Sequence, residues 1–429
     1  MYISQCLIVK NEEKNIEHCL SHLKSVVDEQ IVVDTGSTDR TVEIAESLGA
    51  KIYYFDWIND FSAARNFAID KAKGDWIIFL DCDEYFSEKS VTKIKECIQK
   101  HGDNKSCDGL TIEIINIKSD GSIISTAKNI SPRIYKRKKN LKYKNRVHEV
   151  LFKDLPDSTL NLIDVSKYLQ IYHTGYDAQV LEEKDKNERN INLLLKELDT
   201  NPDDIKINYY LSKQFYMDKR FEESIKYCKK ALENNINNDN NLKCLIYSNL
   251  INSMLASSHS FEDINDIFID ASNQFPKYPD FYFFIGRAAL LDNKISLSIN
   301  YLEKCINYCE GYSDTLESLA VANIKEVYKY LINAYLAVNN NHKVVELSVA
   351  MLRTDKYDLE ILILLIKTFL KKEKEYDIII FLNKIYDYNN VKDKLYLMKS
   401  CEIVKNDMMA QYYKGLFTEE ELNALKQKK

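Results

Sequence analysis

Hydrophobic and polar positions follow two different patterns along the chain, and the first occupies residues 1–178. There, short and almost wholly apolar runs predict strands at residues 3–9, 30–33, 51–55 and 76–80. Apolar positions at helical spacing between these runs predict helices over residues 12–26, 41–48 and 63–72. Strands of this kind that alternate with helices are typical of a parallel sheet covered on both faces. We therefore expect an α/β domain with a Rossmann-like, mostly parallel sheet.

The second pattern is a helical repeat in the rest of the chain. Residues 201–234 place small and bulky apolar side chains at the packing positions of a helix–turn–helix repeat of about 34 residues, and residues 280–310 do so again. Looser copies occupy residues 242–275, 324–352 and 359–386. The pattern resembles a tetratricopeptide (TPR) array, whose stacked helix pairs share one core and form a groove. We predict a first domain at 1–178, a connecting helix at 179–200 and an all-α repeat domain at 201–429.

The overall charge argues against a protein that coats nucleic acid. Lys and Arg number 59 against 65 Asp and Glu, so the net charge is −6. Residues 128–153 are an exception, because they hold ten Lys or Arg residues and a single acid, Glu149. This basic stretch is either a solvated hairpin or a positive collar that attracts anionic ligands. The acidic chain as a whole makes a nucleic-acid partner the poorest interpretation.

The first residues, the apolar runs and the cysteines of the chain predict its cellular compartment. The first residues, MYISQCLIVK, read as a strand and not as a secretory signal, and no apolar run approaches the length of a membrane span. Ten cysteines stand at scattered spacings without Cys-x-x-Cys pairs, which favours buried free thiols. We expect a cytoplasmic protein without a transmembrane segment.

Polar clusters follow three of the predicted strands. They are Lys10-Asn11-Glu12, Asp34-Thr35-Gly36-Ser37 and Asp81-Cys82-Asp83-Glu84. In parallel sheets ligands bind beyond the carboxyl ends of the strands. Asp81 and Asp83 can turn toward one hard cation such as Mg²⁺, or they form an ordinary acidic turn. Asp34 can hydrogen-bond a base or ribose, or it belongs to a turn that caps the next helix.

With these segments in order, the chain resembles a family 2 glycosyltransferase with the nucleotide-sugar-binding GT-A fold. The matching segments are CLIVKNEEKNIEHCL, VVDTGSTDRTVEIA, NDFSAARNFAIDKAKGDWIIFLDCDE, YKNRVHEVLF and IYHTGY. Together with the repeats, this layout is similar to bacterial enzymes that glycosylate peptides or proteins, including the S-glycosyltransferases of glycopeptide bacteriocin synthesis. The order and spacing of the segments make the match stronger than any single motif.

The resemblance implies a role for nine residues. It places Asn11, Glu12, Asp34, Arg65 and Asp81 at the nucleotide sugar, Asp83, Asp81 and His173 at a divalent Mg²⁺ or Mn²⁺ ion, and Glu149 and His148 at the catalytic centre, with Glu149 as base on the acceptor side. Structural alternatives exist for several of them. Arg65 could pair with Asp60 or Asp70, the His148-Glu149 pair could lie on an edge strand beside Lys144 or Arg146, and His173 could be a structural histidine.

One position departs from the family. The family often has two consecutive acids where this chain has Asp34-Thr35. A side-chain contact from the second position to the base would therefore come from the Thr35 hydroxyl or be absent. The resemblance implies a UDP-linked sugar, and this departure leaves the choice between uracil and guanine open.

The resemblance implies an inverting, metal-dependent enzyme. It would transfer a hexose or N-acetylhexosamine from a nucleotide sugar to a Cys or Ser/Thr side chain of a peptide or protein held by the repeat domain. A transferase of cell-surface glycans, such as lipopolysaccharide core or capsule, is an alternative, because its first domain would look the same. An alternative from another class is a TPR scaffold with an inactive transferase domain. The repeat array could also form a homodimer.

Overall fold

The computed structural model of the chain describes residues 1–118, 121–123, 129–156, 158–174, 180–234, 239–313, 316 and 318–421. The side chains of residues 129 and 180–186 lie outside that description. So do Gly175 and Tyr176 of the IYHTGY segment and Gln179, where the connecting helix was predicted to begin.

The strands and helices of the described residues follow in chain order. The strands are β1 (Ile3–Val9), β2 (Glu29–Asp34), β3 (Lys51–Tyr54), β4 (Trp76–Phe79), β5 (Glu84–Phe86), β6 (Gly109–Asn116), β7 (Asn129–Lys136), β8 (Leu141–Lys144), β9 (Val150–Lys153), β10 (Leu162–Asp164) and β11 (Gln170–His173). The helices are α1 (Ile16–Leu23), α2 (Thr41–Ser47), α3 (Phe61–Lys71), α4 (Glu88–Val91), α5 (Ile94–Gly102), α6 (Val180–Leu198), α7 (Ile205–Met217), α8 (Phe221–Glu233), α9 (Asn240–Ala256), α10 (Phe261–Gln274), α11 (Pro279–Leu291), α12 (Ile295–Glu310), α13 (Leu319–Ala322), α14 (Ile324–Ala337), α15 (Asn341–Thr354), α16 (Leu359–Phe369), α17 (Glu375–Leu382), α18 (Val391–Val404) and α19 (Asp407–Gly415).

The strands form a mixed sheet in the order β3-β2-β1-β4-β7-β6-β11-β5, with β10 paired to β6. The half built from β3, β2, β1 and β4 is parallel, and the polar clusters of the sequence follow the carboxyl ends of three of its strands. Strand β7 runs antiparallel to both β4 and β6. The predicted α/β domain and its four strands are confirmed.

Helix α1 is shorter than the helix predicted over residues 12–26. Asn11 has a left-handed φ of 57°, which a helix does not accept. The Glu12 N–H donates to Thr41 Oγ1 at 2.7 Å, and the Asn15 N–H donates to the Glu12 carbonyl at 3.0 Å. A turn tied to the start of α2 therefore replaces the first part of the predicted helix.

The sheet has an apolar core on each face. On one face, Leu7 and Ile78 pack with Leu20 of α1 and Ile98 of α5. On the other face, a second cluster joins the sheet to α3 and to the small β8–β9 hairpin, with Cys6, Phe79, Ala68, Tyr143 and Leu151 among its members. Both faces are covered, as the apolar strands predicted.

Many cations of the basic stretch hold this sheet together. The Lys136 ammonium donates to the carbonyls of Gly102 and Asn104, both at 2.8 Å. Lys138 and Lys153 pair with the buried carboxylate of Asp108 at 2.7 and 3.1 Å. Burial alone would raise the pKa of Asp108, but its hydrogen bonds outweigh that effect and lower it. These hydrogen bonds and ion pairs stabilise the packing around β6, β7 and β9.

The chain divides into two compact units, Met1–Ser253 with Thr315–Glu317 and Met254–Asp314 with Ser318–Lys429. The first unit contains the α/β fold together with α6, α7 and α8. The helix pair predicted at residues 201–234 thus lies in the same unit as the sheet. In this pair Ser224 Oγ donates to the Ser212 carbonyl at 2.8 Å.

The second unit consists of helices in the described residues. Its α11–α12 pair repeats the contact of the first unit, since Ser298 Oγ donates to the Gly286 carbonyl at 2.8 Å. A Cβ at Gly286 would come within 2.8 Å of the Leu302 side chain, so a larger residue would have to displace that side chain at this close approach of the two helices. The predicted repeats coincide with helix pairs, and α18–α19 form a further pair that was not predicted. No helix of the described residues is both long enough and apolar enough to span a bilayer.

Candidate functional site

A cleft of about 510 Å³ opens at the carboxyl ends of β1, β2 and β4. Its walls come from four parts of the first unit: the strand ends, α3 with Trp57 before it, the loop between β8 and β9, and α6. The lining residues are Ile8, Val9, Lys10, Glu12, Thr35, Trp57, Phe61, Arg65, Asp81, Cys82, Asp83, Val147, His148, Glu149, His173, Arg189 and Asn190. Seven of the nine predicted site residues therefore meet in one cleft.

Asp81 is held by two arginines. Arg65 Nη2 donates to Asp81 Oδ1 at 2.8 Å, and Arg133 Nη2 donates to Oδ2 at 2.9 Å. Burial pushes the pKa of Asp81 up, but the charges of Arg65 and Arg133 outweigh burial and hold that pKa well below its usual range. Asp81 is thus ionised, and both of its oxygens already have cationic partners.

Each arginine continues to a second carboxylate. Arg65 Nε donates to Glu149 Oε1 at 2.6 Å, and Arg133 Nη2 donates to the buried Glu84 at 2.5 Å. Neither of the predicted alternative partners of Arg65, Asp60 and Asp70, is the one observed. The four-residue chain Glu149–Arg65–Asp81–Arg133 joins the β8–β9 loop to the tip of β4. Within it, Nη1 of Arg65 is buried and lacks a hydrogen-bond partner.

Asp83 lies beside His173. His173 Nε2 is 3.3 Å from Asp83 Oδ2, and Nδ1 is 2.8 Å from Asn116 Oδ1. Burial lowers the pKa of His173, but the hydrogen bond and the charge of Asp83 outweigh it, so the pKa is raised. Strand pairing brings the two residues together, because β11 runs antiparallel to β5, which begins just after Asp83.

This arrangement fits a cation that needs few protein ligands. Among the described residues, no three His, Cys, Asp or Glu side chains converge as a complete metal site. Asp81 is occupied by its arginines, which leaves Asp83 and His173 as the oxygen and nitrogen donors. Mg²⁺ commonly takes one or two protein ligands and completes its shell with water and substrate phosphates.

The side-chain oxygens of Asp34 and Asn11 accept hydrogen bonds from the backbone of the turn after β2. Asp34 is buried and accepts from the backbone N–H groups of Gly36 and Ser37, both at 3.1 Å. Asn11 Oδ1 accepts from the Thr38 N–H at 2.8 Å. Gly36, at a φ of 106°, lets the chain make this turn. Neither Asp34 nor Asn11 lines the cleft, whereas their neighbours Thr35 and Glu12 do, so a direct contact of Asp34 or Asn11 with the nucleotide stays a prediction.

His148 adopts an unusual backbone conformation and is covered by a repeat helix. Its φ is 52°, and its ring stacks on Tyr210 of α7 with centroids 4.1 Å apart and planes inclined by 13°. Its Nε2 is buried without a partner. Burial, the largest effect, lowers the pKa of His148 against the opposing charge of Glu149, so the ring is neutral near pH 7. His148 and Glu149 belong to the loop before β9 and not to an edge strand.

Three residues of the site were not predicted from the sequence. Arg133 is hidden among the many cations of the basic stretch, and Arg189 is one of several charges on the predicted connecting helix. Tyr210 reads as a packing residue of the first repeat. The cluster of α6 and α7 also includes Val147 of the β8–β9 loop, packed with Ile191 and Leu211. No local signal in the sequence distinguishes these residues from their neighbours.

The model of a known protein family matches the residues that form most of the strands. Residues 4–152 match the model of "Glycosyl transferase family 2". The SPbeta prophage-derived glycosyltransferase SunS of Bacillus subtilis is 29% identical over 349 residues, which cover 80% of this chain and 78% of that protein. A TPR repeat-containing protein of Synechococcus elongatus is 32% identical over 195 residues, 44% of this chain and 45% of that protein.

Among solved structures, the chain is similar to glucosyl-3-phosphoglycerate synthase from Mycobacterium tuberculosis. That structure contains Mn²⁺, uridine diphosphate and glucosyl-3-phosphoglycerate. The identity is 22%, the match covers 28% of this chain and 45% of that chain, and the TM-score is 0.22.

Proposed function

We propose that the chain is a family 2 glycosyltransferase, since its residues 4–152 match the model of that family, and that it transfers a hexose or N-acetylhexosamine from a UDP-linked sugar, with inversion, to a Cys or Ser/Thr side chain of a peptide or protein. One observation carries the proposal. In the cleft at the strand ends, Arg65 connects Asp81 to Glu149 while its Nη1 has no partner among the described residues. A buried donor without a partner calls for an explanation, and an anionic ligand supplies one.

A divalent cation, Mg²⁺ or Mn²⁺, fits the site. Asp83 and His173 would hold it, because their side chains lie 3.3 Å apart in the cleft and Asp81 is engaged by arginines. When bound, such a cation neutralises the charge of a departing diphosphate.

We assign Glu149 the role of the base that acts on the acceptor. In a single displacement, the acceptor oxygen or sulfur forms its bond to the anomeric carbon while the bond to the diphosphate breaks, and the diphosphate leaves with the electron pair. The acceptor proton passes to the Glu149 carboxylate. The Arg65 hydrogen bond at 2.6 Å fixes the orientation of that carboxylate, so the base is positioned before the acceptor arrives.

The helical repeats support a polypeptide acceptor. Stacked helix pairs occur in both compact units, and such arrays present extended surfaces to partner chains. The similarity to the glycosyltransferase SunS of Bacillus subtilis supports sugar transfer as such. We propose that the enzyme acts in the cytoplasm, where nucleotide sugars are made. We also propose that it forms a homodimer through the repeats.

A panel of nucleotide sugars tests the proposed function. The purified protein is heated with UDP- and GDP-linked hexoses and N-acetylhexosamines, with and without Mn²⁺, and the melting temperature is recorded. A ligand that binds the folded state raises this temperature by mass action. We expect a rise with one UDP-linked sugar that depends on Mn²⁺, together with slow hydrolysis of that sugar. No response to any sugar, with any cation, contradicts the proposal.

The acceptor class is tested with the radiolabelled form of the sugar so identified. Label is followed into protein and into lipid extracts after incubation with a lysate. We expect the label in protein. Label confined to the lipid extract would instead identify a transferase of cell-surface glycans.

Substitution of Glu149 by Gln should distinguish the two acceptor atoms. The amide oxygen of the substituted side chain can still accept from Arg65, so the loop keeps its position while the base is lost. We expect transfer to a serine peptide to fall by about 10²- to 10⁴-fold. Transfer to a cysteine peptide should fall by less than about tenfold, because a thiolate needs little help from a base.

The control for this variant is Glu88→Gln, which alters an exposed acid of α4 away from the cleft. Rates are measured with peptides that differ only in Ser or Cys. Equal losses for both peptides would show that Glu149 positions the acceptor and does not take its proton.

Removal of the Tyr210 ring should change the titration of His148. In Tyr210→Leu the cover is lost, so the pKa of His148 should rise toward its ordinary value of about 6.5. As the pH falls, His148 of the variant should therefore take up its proton at a higher pH than His148 of the wild type. Sugar transfer should slow by roughly tenfold to a hundredfold, since the loop is less firmly held.

The measurement is an NMR titration of ¹³C-histidine-labelled protein with His148 assigned by substitution. Tyr210→Phe keeps the aromatic face and serves as the control, for which we expect an unchanged titration. An unchanged His148 titration in Tyr210→Leu would contradict the role assigned to the stacking.

A further inference from the structure

Arg189 brings a positive charge into the cleft from outside the matched family region. It lies on α6, beyond residue 152, and lines the cleft together with its neighbour Asn190. Its side chain is exposed there. The first helix after the α/β fold thus contributes to the wall of the site.

The position of the guanidinium is defined by an aromatic surface. It lies over the ring of Phe61 at 5.1 Å, and Phe61 packs edge-to-face on Trp57 at 4.8 Å. The Phe61 N–H donates to the Arg146 carbonyl at 2.9 Å, which fixes the start of α3 against the β8–β9 loop. Phe61 therefore gives the Arg189 guanidinium one aromatic contact at the wall of the cleft.

Arg189 differs from the other arginines of the site in its partners. Arg65 and Arg133 each contact two carboxylates. Arg189 donates to Asn190 Oδ1 at 3.3 Å, and the described residues provide no carboxylate within ion-pair distance. A guanidinium has five N–H donors and stays charged at any pH of interest. Most of its donors are free for a ligand.

We propose that Arg189 binds an anionic group of a bound substrate, and that this group is a carboxylate of the acceptor polypeptide. The inference rests on the proposed function and extends it to acceptor specificity. A guanidinium can donate two parallel N–H hydrogen bonds to the two oxygens of one carboxylate. An Asp or Glu next to the modified side chain of the acceptor would therefore fit Arg189.

The surroundings of Arg189 favour the acceptor over the donor. Ile191, two residues after Arg189 on α6, packs in one cluster with Val147 of the β8–β9 loop, and the same loop carries Glu149, the proposed base. The aromatic pair Trp57 and Phe61 next to Arg189 also suits the apolar part of a peptide side chain.

The test compares Arg189→Gln with Arg189→Lys and with Lys196→Gln, which removes an exposed positive charge from the same helix outside the cleft. In one arm, calorimetry measures the Kd of UDP in the presence of Mg²⁺. In the other arm, the enzyme labels an array of Cys- and Ser-containing heptapeptides that carry Glu or Gln at each other position.

We expect wild type and Lys196→Gln to label Glu-containing peptides at least tenfold better than their Gln counterparts at one or two positions. Arg189→Gln should lose this preference while the Kd of UDP changes less than twofold, and Arg189→Lys should keep part of it. A tenfold weaker binding of UDP by Arg189→Gln would show that the anion is the diphosphate of the donor and would overturn the acceptor assignment. Equal labelling of Glu and Gln peptides by the wild type, or no labelling of either, would overturn it too.

These outcomes are distinct from a failure of the proposed function itself. That failure appears in the wild type alone, as the absence of any binding or hydrolysis of nucleotide sugars. A wild type that hydrolyses its sugar but ignores the charge of the peptides leaves the proposed function intact and removes only the role of Arg189.

Discussion

Asp83→Asn is expected to reduce sugar transfer by on the order of a thousandfold, or about 4 kcal/mol of transition-state stabilisation. The physical reason is the scarcity of donors at this end of the cleft. Asp81 is bound on both oxygens by arginines, so Asp83 and His173 are the ligands that we propose for a divalent cation. Asn keeps the shape of the side chain but loses its charge, and cation affinity falls with it.

The measurement is the rate of hydrolysis or transfer as a function of Mn²⁺ concentration. We expect Asp83→Asn to need far more Mn²⁺ than the wild type, with partial recovery at high concentration. Asp70→Asn, on the exposed face of α3, is the matched control and should behave as the wild type. Full activity of Asp83→Asn at low Mn²⁺, or activity of the wild type that persists with a chelator, would refute the metal assignment.

Arg133→Met is expected to cost about 3–5 kcal/mol of the free energy of unfolding. Arg133 is buried and pairs with Asp81 at 2.9 Å and with the buried Glu84 at 2.5 Å. Burial raises the pKa of Glu84, against the opposing charge of Arg133. Without the arginine, Glu84 must either stay charged in an apolar environment or take up a proton, and both alternatives destabilise the fold.

A double variant separates this effect from simple loss of packing. Arg133→Met combined with Glu84→Gln removes both charges, so it should recover part of the stability lost in Arg133→Met. Lys142→Met breaks an exposed pair with Asp154 and should cost less than about 1 kcal/mol. Urea unfolding followed by circular dichroism provides the comparison. A loss for Arg133→Met no larger than that for Lys142→Met would show that the buried network does not stabilise the fold.

The β8–β9 loop is held by contacts from inside the matched family region and from helices beyond it. Ser62 Oγ of α3 donates to the Asn145 carbonyl at 2.6 Å, and Val147 packs in the cluster of α6 and α7. Tyr210 covers His148 from the same direction. The β8–β9 loop therefore gains its position partly from helices that lie beyond residue 152, and these helices belong to the same compact unit as the α/β fold.

Local sequence patterns determined most of the architecture. The apolar runs of β1, β2 and β4 and the helical spacing of α3 were readable because burial repeats every two or every 3.6 residues within one element. The cap of α3 was equally local, since Asp60 accepts from the Ala63 N–H at 2.9 Å, three residues away. The same holds for the helix pairs, whose small residues recur at fixed spacing.

The sequence by itself also placed Asp81 and Asp83 as candidates, because they follow a strand whose end could be predicted, whereas Arg65, Glu149 and His173 became candidates through the resemblance of their segments to the family. Only the tertiary structure decided their partners. Arg65 meets Glu149 across 84 residues, Arg133 meets Asp81 across 52, and His148 stacks on a tyrosine of a repeat helix. Periodicity reports which face of an element is buried, whereas an ion pair or a ring stack depends on where two distant elements come together, and that information is absent from any local stretch of chain.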